Sequence, residues 1–131
     1  MFQMKIIAEP FGIHEKALQA RSQRLELLAG NIANADTPKY KAQDIDFKQV
    51  LGNVQREALQ TTHTAHFALS DAGANAKAVK FRVPFNSSAD GNTVELSVEQ
   101  AQYGKAAADY RATLSFIENR TASIKRALRG E

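Results

Sequence analysis

Apolar residues recur along the first part of the chain at alternating spacings of three and four. They are Phe11, Leu18, Leu25, Leu28, Ile32 and Ala35, and His14 and Arg21 occupy the two remaining places of the row. This period is typical of a heptad seam on an α-helix. Pro38 lacks an amide hydrogen and disfavours helical geometry at Thr37, so the helix must end before it. The sequence therefore predicts an N-terminal helix over about residues 11–35.

A second heptad pattern fills the last part of the chain. One apolar row contains Leu96, Tyr103, Tyr110, Ile117 and Ile124, and a second row contains Ala107, Leu114, Thr121 and Leu128. Ser97 and Gln100 match a capping box, which predicts a helix over about residues 97–128. Such a helix is more than about 45 Å long, and its narrow apolar stripe needs a partner helix.

The two stripes allow two arrangements. The terminal helices pair as a coiled coil, and a bundle of such pairs forms an assembly, or they form an ordinary helical hairpin within one chain. Pattern alone does not separate these alternatives. Both give a mainly α fold, and the length of 131 residues predicts a single domain.

The middle of the chain, about residues 36–94, is less regular. Residues 46–59 predict a short helix with Phe47, Val50 and Leu51 on one side and Asp46 as its N-cap. Residues 80–85 alternate as a strand does, although Pro84 limits the strand to an edge or a short piece. The rest is polar and rich in turn residues, so we expect an irregular, partly extended segment.

Composition excludes several classes of protein. Apolar residues make up 44% and charged residues 24%, as in ordinary globular proteins. The net charge is +3, and the basic residues near the C-terminus are Arg120, Lys125, Arg126 and Arg129. They complement a helix dipole and are not interleaved with aromatics, which argues against nucleic-acid binding. The absence of cysteine excludes disulfides and thiol chemistry, and no secretory signal or membrane span is predicted.

Candidate catalytic or metal-binding residues are few. His63 and His66 have HxxH spacing, but no third ligand is near them in sequence. Asp44 and Asp46 alternate as a cation-binding pair does, although helix capping accounts better for Asp46. We therefore predict no catalytic residue, no metal, no cofactor and no small-molecule substrate. A small wall hydrolase would need an acidic pair in a cleft, which the sequence does not offer convincingly.

The segment NIANADTPKY, residues 31–40, resembles the N-terminal signature of the flagellar rod and hook family of axial proteins. It is preceded by HEKALQARSQRLELLAG and followed by KAQDIDF, and DGNTVEL at residues 90–96 is similar to the start of that family's C-terminal helix. The matching stretches cover about half the chain. Gly30 and Lys39 depart from the family pattern, which commonly has a small polar residue and a glycine there.

The resemblance implies a structural subunit of the flagellar rod, exported without cleavage by the flagellar type III apparatus. The short chain and the longer context favour the proximal rod, in the periplasmic space. The implied partners are the chain itself, other rod proteins, the adaptor protein at the rod base, the membrane ring and the export gate. Another rod subunit, or a coiled-coil adaptor with no flagellar role, remains the alternative.

The two seams and the signature predict an assembly interface. Its residues are Leu18, Leu25, Leu28, Asn31, Ile32, Asn34, Tyr103, Tyr110, Leu114, Ile117, Ile124 and Leu128. Asn31 and Asn34 lie on one helix face, where their amides can fix register against a neighbouring subunit, although Asn34 can equally bond locally at the helix end. Phe47 and Leu51 resemble the element by which rod and hook subunits engage the export gate. The alternative is the apolar side of a small helix.

Overall fold

A computed structural model describes residues 11–60 and 78–130. Three helices and two short strands occur in these ranges. They are α1 (Gly12–Ala33), β1 (Gln43–Ile45), α2 (Phe47–Gln60), β2 (Val79–Phe81) and α3 (Leu96–Arg129). The three predicted helices are confirmed, as is the short strand predicted before Pro84. The mainly α fold with long N- and C-terminal helices is therefore confirmed.

The helix ends follow from local chemistry in two cases and not in a third. Asn34 is the C-cap of α1, four residues before Pro38. Asp46 caps α2 as predicted, because its carboxylate accepts a hydrogen bond from the Gln49 amide at 3.2 Å. The capping box predicted at Ser97 is wrong. Helix α3 begins at Leu96 with Glu95 as its N-cap and no side-chain capping bond, because Glu95 instead accepts bonds from the amides of Phe85 and Asn86.

Helices α1 and α3 pack against each other, antiparallel, within the chain. Four residue pairs mark their contact, and these pairs are Asn31 with Glu99, Arg24 with Gln102, Arg21 with Asp109, and His14 with Phe116. The intramolecular alternative for pairing the terminal helices is thus present in this fold. The end of α3, after Phe116, extends past the first residues of α1.

The middle of the chain folds onto one side of this helix pair. Strand β1 pairs with β2 in an antiparallel ladder in which Gln43 faces Phe81 and Ile45 faces Val79. Ala20 of α1, Ile45, Val50 and Ala78 form the small buried core, with Leu27 and Phe47 packed against it. The middle of the chain therefore contributes to the core the predicted short helix and, beside the predicted strand, the strand β1, which the sequence did not predict.

Candidate assembly surface

The predicted apolar seam of α3 is not the face that packs on α1. Four residues of α3 contact α1, and they are Glu99, Gln102, Asp109 and Phe116. Ala106, which is buried, and Thr113 lie on the same face of α3 by helical spacing. The predicted rows through Tyr103 and Ala107 lie one residue further along, a rotation of about 100° around the helix axis. They are consequently left at the side of the helix pair, where Tyr103 remains 40% exposed.

The displacement on α1 is partial. His14 and Arg21, which belong to the predicted row, contact α3 together with Arg24 and Asn31. Leu18, Leu25 and Ile32 are displaced, because each follows one residue after Ala17, Arg24 or Asn31. In an antiparallel pair, an equal rotation on each helix brings both displaced rows to the same side. Ala20 and Leu27 point the other way, into the core with α2 and the sheet.

The two displaced rows form one surface, which we call the apolar face. It consists of Leu18, Leu25, Ile32, Tyr103, Ala107, Tyr110, Leu114 and Ile117. Its side chains are partly buried, apart from the more exposed Tyr103. Among the described elements, α2 and the sheet pack on the opposite side of the helix pair. Seven of the predicted interface residues lie on this face.

Two other predicted interface residues are fully buried within the chain, at 0% exposure, and do not face a neighbour in this fold. They are Leu28 and Asn31. The Asn31 amide donates to the Gln43 carbonyl at 2.8 Å and to the Glu99 carboxylate at 3.1 Å, and its oxygen accepts from the Gln43 amide at 3.0 Å. Asn31 therefore sets the register of α1 against β1 and α3 of the same chain.

The remaining predicted residues are at the helix ends. Asn34 bonds locally, since its amide donates to the Gly30 carbonyl at 2.8 Å and its oxygen accepts from the Thr37 hydroxyl at 3.1 Å. This is the local alternative for that residue. Ile124 and Leu128 lie on the extended end of α3, where Leu128 is 83% exposed.

A partly buried charge network links α1, the sheet and α3. The Asp44 carboxylate accepts from Arg24 at 3.0 and 3.2 Å and from Arg82 at 2.6 Å. Arg82 also donates to Glu99, which is only 1% exposed. Burial alone would raise the pKa of Asp44, but the hydrogen bonds from Arg24, the Ile45 amide and Arg82 hold that pKa below its usual value.

Asn92 ties the start of α3 to the end of α1. Its amide group donates to the carbonyl oxygens of Asn34, Ala35 and Thr37 at 2.8 to 3.0 Å, and its own oxygen accepts from the Val94 amide. The side chain is 4% exposed. These bonds satisfy carbonyl groups that the helix end leaves without partners. They join the two stretches, NIANADTP and DGNTVEL, that carry the family resemblance.

Lys39 occupies a left-handed backbone conformation, with a φ of 62°. Glycine adopts this conformation without steric cost, which explains why glycine suits the position. The Lys39 amide donates to the Asp90 carbonyl at 3.0 Å, and Gly91 lies against its backbone. The turn after Pro38 is thus held directly against the loop before α3.

Phe47 and Leu51 line a groove between α1, α2 and α3 with a volume of about 380 Å³. Ile13, Ala17, Ala112 and Phe116 form the rest of its apolar wall. The Arg21 guanidinium stacks 4.4 Å from the centre of the Phe47 ring and pairs with Asp109 at 3.3 Å. Phe47 and Leu51 are both partly buried in the folded subunit.

Sequence reasoning missed the charge network and the role of Asn92. Asp44 had been weighed only as a cation ligand, and Arg82 only as a member of a strand. The available signal was weak: Arg82 lies in the predicted strand over residues 80–85, but no strand was predicted around Asp44. Within residues 11–60 and 78–130, no group of three or more His, Asp or Glu side chains is arranged to hold a metal ion. His63 and His66 lie outside the described residues.

None of the described helices is both long and apolar enough to cross a membrane. The fold defines a helical protein built on two long terminal helices, with an apolar face that none of the other described helices or strands covers. Comparison with known proteins agrees with this class. The model of the family "Flagella basal body rod protein" matches residues 11–41.

Full-length relatives extend the match. The flagellar basal body rod protein FlgB of Aeromonas hydrophila is 41% identical over 126 residues, which cover 92% of this chain and 93% of the relative. FlgB of Cereibacter sphaeroides (strain ATCC 17029 / ATH 2.4.9) is 40% identical over 94% of this chain and 96% of the relative. FlgB of Escherichia coli K12 is 35% identical, with coverage of 87% and 88%. The chain belongs to the FlgB family of flagellar basal body rod proteins.

Proposed function

We propose that this chain is a structural subunit of the proximal rod of the bacterial flagellum, which polymerises through its two terminal helices. The apolar face carries this proposal. The proposed partners of the subunit are further copies of the chain, other rod proteins, the adaptor at the rod base and the membrane ring. The rod crosses the periplasm and transmits torque, so the subunit acts as a mechanical element without a reaction of its own.

The apolar face supports assembly for an energetic reason. Covering a fully exposed leucine or isoleucine contributes about 1.5–3 kcal/mol, so a half-buried one contributes roughly half of that. The face extends along both helices, and neighbours that cover it would gain this term at many side chains together. A partly covered heptad seam is also the geometry in which one helix can receive another.

The proposal is tested first by deleting the gene and imaging isolated basal bodies. Rings without a rod, in non-motile cells, are the expected result. Ile117→Asp should give the same phenotype, because it places a charge in the apolar face. Ser115→Asp is the matched control, since Ser115 is exposed and points away from that face. Complete basal bodies in the motile deletion strain would overturn the proposal.

Export by the flagellar type III apparatus, without cleavage, is part of the proposal. Phe47 and Leu51 are proposed to contact the export gate before the subunit folds, because the folded subunit partly buries both side chains in its groove. Phe47→Ala should then reduce the secreted protein while the cytoplasmic level is maintained. If Phe47→Ala leaves secretion intact and only assembly fails, the gate role is wrong.

A further inference from the structure

Two large apolar side chains on the wall of the groove between α1, α2 and α3 remain exposed. Ile13 of α1 is 37% exposed and Phe116 of α3 is 48% exposed. Both line the groove together with Phe47 and Leu51. Covering such surface with further apolar side chains is favourable, because it removes apolar area from water. A groove of about 380 Å³ with these walls is therefore a site at which another segment can dock.

Arg21 adds a polar requirement to this groove. One terminal nitrogen of its guanidinium pairs with Asp109 at 3.3 Å. Its Nε atom is buried and has no hydrogen-bond partner among the described residues. A backbone carbonyl oxygen of an incoming peptide can accept a hydrogen bond from this N–H group, whereas a lipid acyl chain cannot. The groove thus suits a peptide with apolar side chains better than a lipid.

The segment before α1 has the composition that the groove requires. Residues 1–10 lie outside the described residues, and they precede Phe11, the N-cap of α1. Six of these ten residues are apolar, and they are Met1, Phe2, Met4, Ile6, Ile7 and Ala8. The charges of Lys5 and Glu9 balance each other, as those of Arg21 and Asp109 do in the groove. No like-charge contact therefore opposes docking.

The chain enters α1 through a bend beside the groove. Gly12, the first residue of α1, has a φ of 31°, a conformation that residues with a side chain rarely adopt. Pro10 disfavours helical geometry at Glu9. A straight extension of α1 is thus interrupted next to Ile13, which is the first residue of the groove along the chain.

Residues 1–10 are long enough to cover the groove. The groove follows α1 from Ile13 to Arg21, a length of about 12 Å at the helical rise. Ten extended residues span up to about 33 Å, which leaves several for a reversal of direction. A short tether also gives a segment an effective concentration in the millimolar range. The tether therefore favours this segment over a second copy of the chain or another protein.

We infer that residues 1–10 fold back onto the groove of their own subunit. Ile6 and Ile7 contact its apolar wall, and a backbone carbonyl of the segment accepts the hydrogen bond from Arg21. The segment then covers Phe47 and Leu51 in the folded subunit. This inference goes beyond the proposed rod function and does not depend on it.

Thiol labelling tests the inference, because the chain has no cysteine of its own. Thr113→Cys places a thiol in the groove. Thr121→Cys is the matched control on α3 outside the groove, since both threonines are partly buried and both hydroxyls donate to the carbonyl four residues before. The labelling rate with a maleimide is compared between the full chain and the same chain carrying Ile6→Ser/Ile7→Ser.

The double substitution should raise the labelling rate at Thr113→Cys about tenfold or more, because protection from a reagent follows the fraction of molecules in which the segment is open. The rate at Thr121→Cys should not change. Equal rates at Thr113→Cys with and without the double substitution, or an equal rise at both thiols, overturn the inference.

A disulfide identifies the occupant of the groove. Ile6→Cys/Thr113→Cys, or Ile7→Cys/Thr113→Cys for the neighbouring register, should form a disulfide within one chain on mild oxidation. Its yield should not depend on protein concentration, and Ile6→Cys/Thr121→Cys should give little. A disulfide between two chains at Thr113→Cys, equal yields for the groove and control pairs, or no disulfide with either isoleucine position overturns the inference.

This inference and the proposed function fail in different experiments. Complete rods in the deletion strain would overturn the proposed function, and the groove contact in the purified subunit would stand. Equal labelling rates at Thr113→Cys, together with a deletion strain that lacks rods, would overturn this inference alone.

Discussion

Replacing Arg82 with methionine tests whether buried charge holds this fold together. The side chain of Arg82 is 17% exposed and lies between Asp44 and Glu99. Methionine keeps an unbranched apolar side chain and removes the guanidinium. Glu99, at 1% exposure, would keep only the amide of Asn31 as a described hydrogen-bond partner. The variant therefore leaves a buried carboxylate without a compensating charge.

The expected loss is large. Removing one partner of a buried ion pair costs about 3–5 kcal/mol, because the other charge stays desolvated. The free energy of unfolding of a typical domain is about 5–15 kcal/mol, so Arg82→Met should remove roughly a fifth of it or more. The double variant Arg82→Met/Glu99→Met removes both charges, and Asp44 keeps Arg24. The double variant should therefore be more stable than Arg82→Met alone.

Urea unfolding followed by circular dichroism measures each free energy. Lys80→Met is the matched control, because Lys80 also bonds a carboxylate, that of Asp46, but is 58% exposed. An exposed pair contributes about 1 kcal/mol or less, so the control should be nearly neutral. The argument is refuted if Arg82→Met costs no more than Lys80→Met. It is also refuted if the double variant loses as much free energy of unfolding as Arg82→Met and Glu99→Met lose separately, added together.

Three further predictions concern the turn, the loop and acid stability. Asn92→Ala removes the donor to three carbonyl groups and should lower the free energy of unfolding, measured in urea, by about 1–3 kcal/mol. An unchanged urea midpoint would show that the Asn92 hydrogen bonds do not stabilise the contact between the ends of α1 and α3. Lys39→Gly should stabilise the fold by up to about 1 kcal/mol, because it relieves the positive φ, whereas Lys39→Val should destabilise it. Folding lowers the pKa of Asp44. The contribution of this carboxylate to the free energy of unfolding is therefore complete above its unfolded-state pKa of about 3.9, and it is lost as the pH falls through the pKa of the folded state. Thermal unfolding across a pH series should therefore show a steeper loss below about pH 4 in the native chain than in Asp44→Asn, and equal slopes would contradict the network.

Local sequence signals determined the helices and their ends. The heptad spacing of Leu18 and Leu25 predicts α1, and Pro38 requires that it end nearby. Asp46 marks the start of α2 because a capping carboxylate needs only the amides of the next turn. These features depend on residues within a few positions of one another, so a single sequence contains them.

The prediction that Ser97 caps α3 was wrong because residues distant in sequence determine where that helix begins. The spacing of Ser97 to Gln100 is that of a capping box, yet Glu95 and the loop before α3 determine where the helix begins. Glu95 is held by amides ten and nine residues away, in Phe85 and Asn86. A local motif cannot report such a partner, and tertiary contact overrides it.

The family resemblance, the three helices and the strand near Phe81 followed from the sequence alone, whereas the tertiary structure decided which helix faces are buried. Two adjacent rows of one helix differ by about 100°, and both α1 and α3 offer a second row beside the apolar one. The row that packs contains Arg24, Asn31 and Glu99. Asp44 and Arg82 supply the charge partners of Arg24 and Glu99, and Gln43 and Glu99 supply the hydrogen-bond partners of Asn31. These partners are 12 to 68 residues apart, and only the fold brings them together. The apolar rows are thereby displaced to the outside, where a structural subunit can use them.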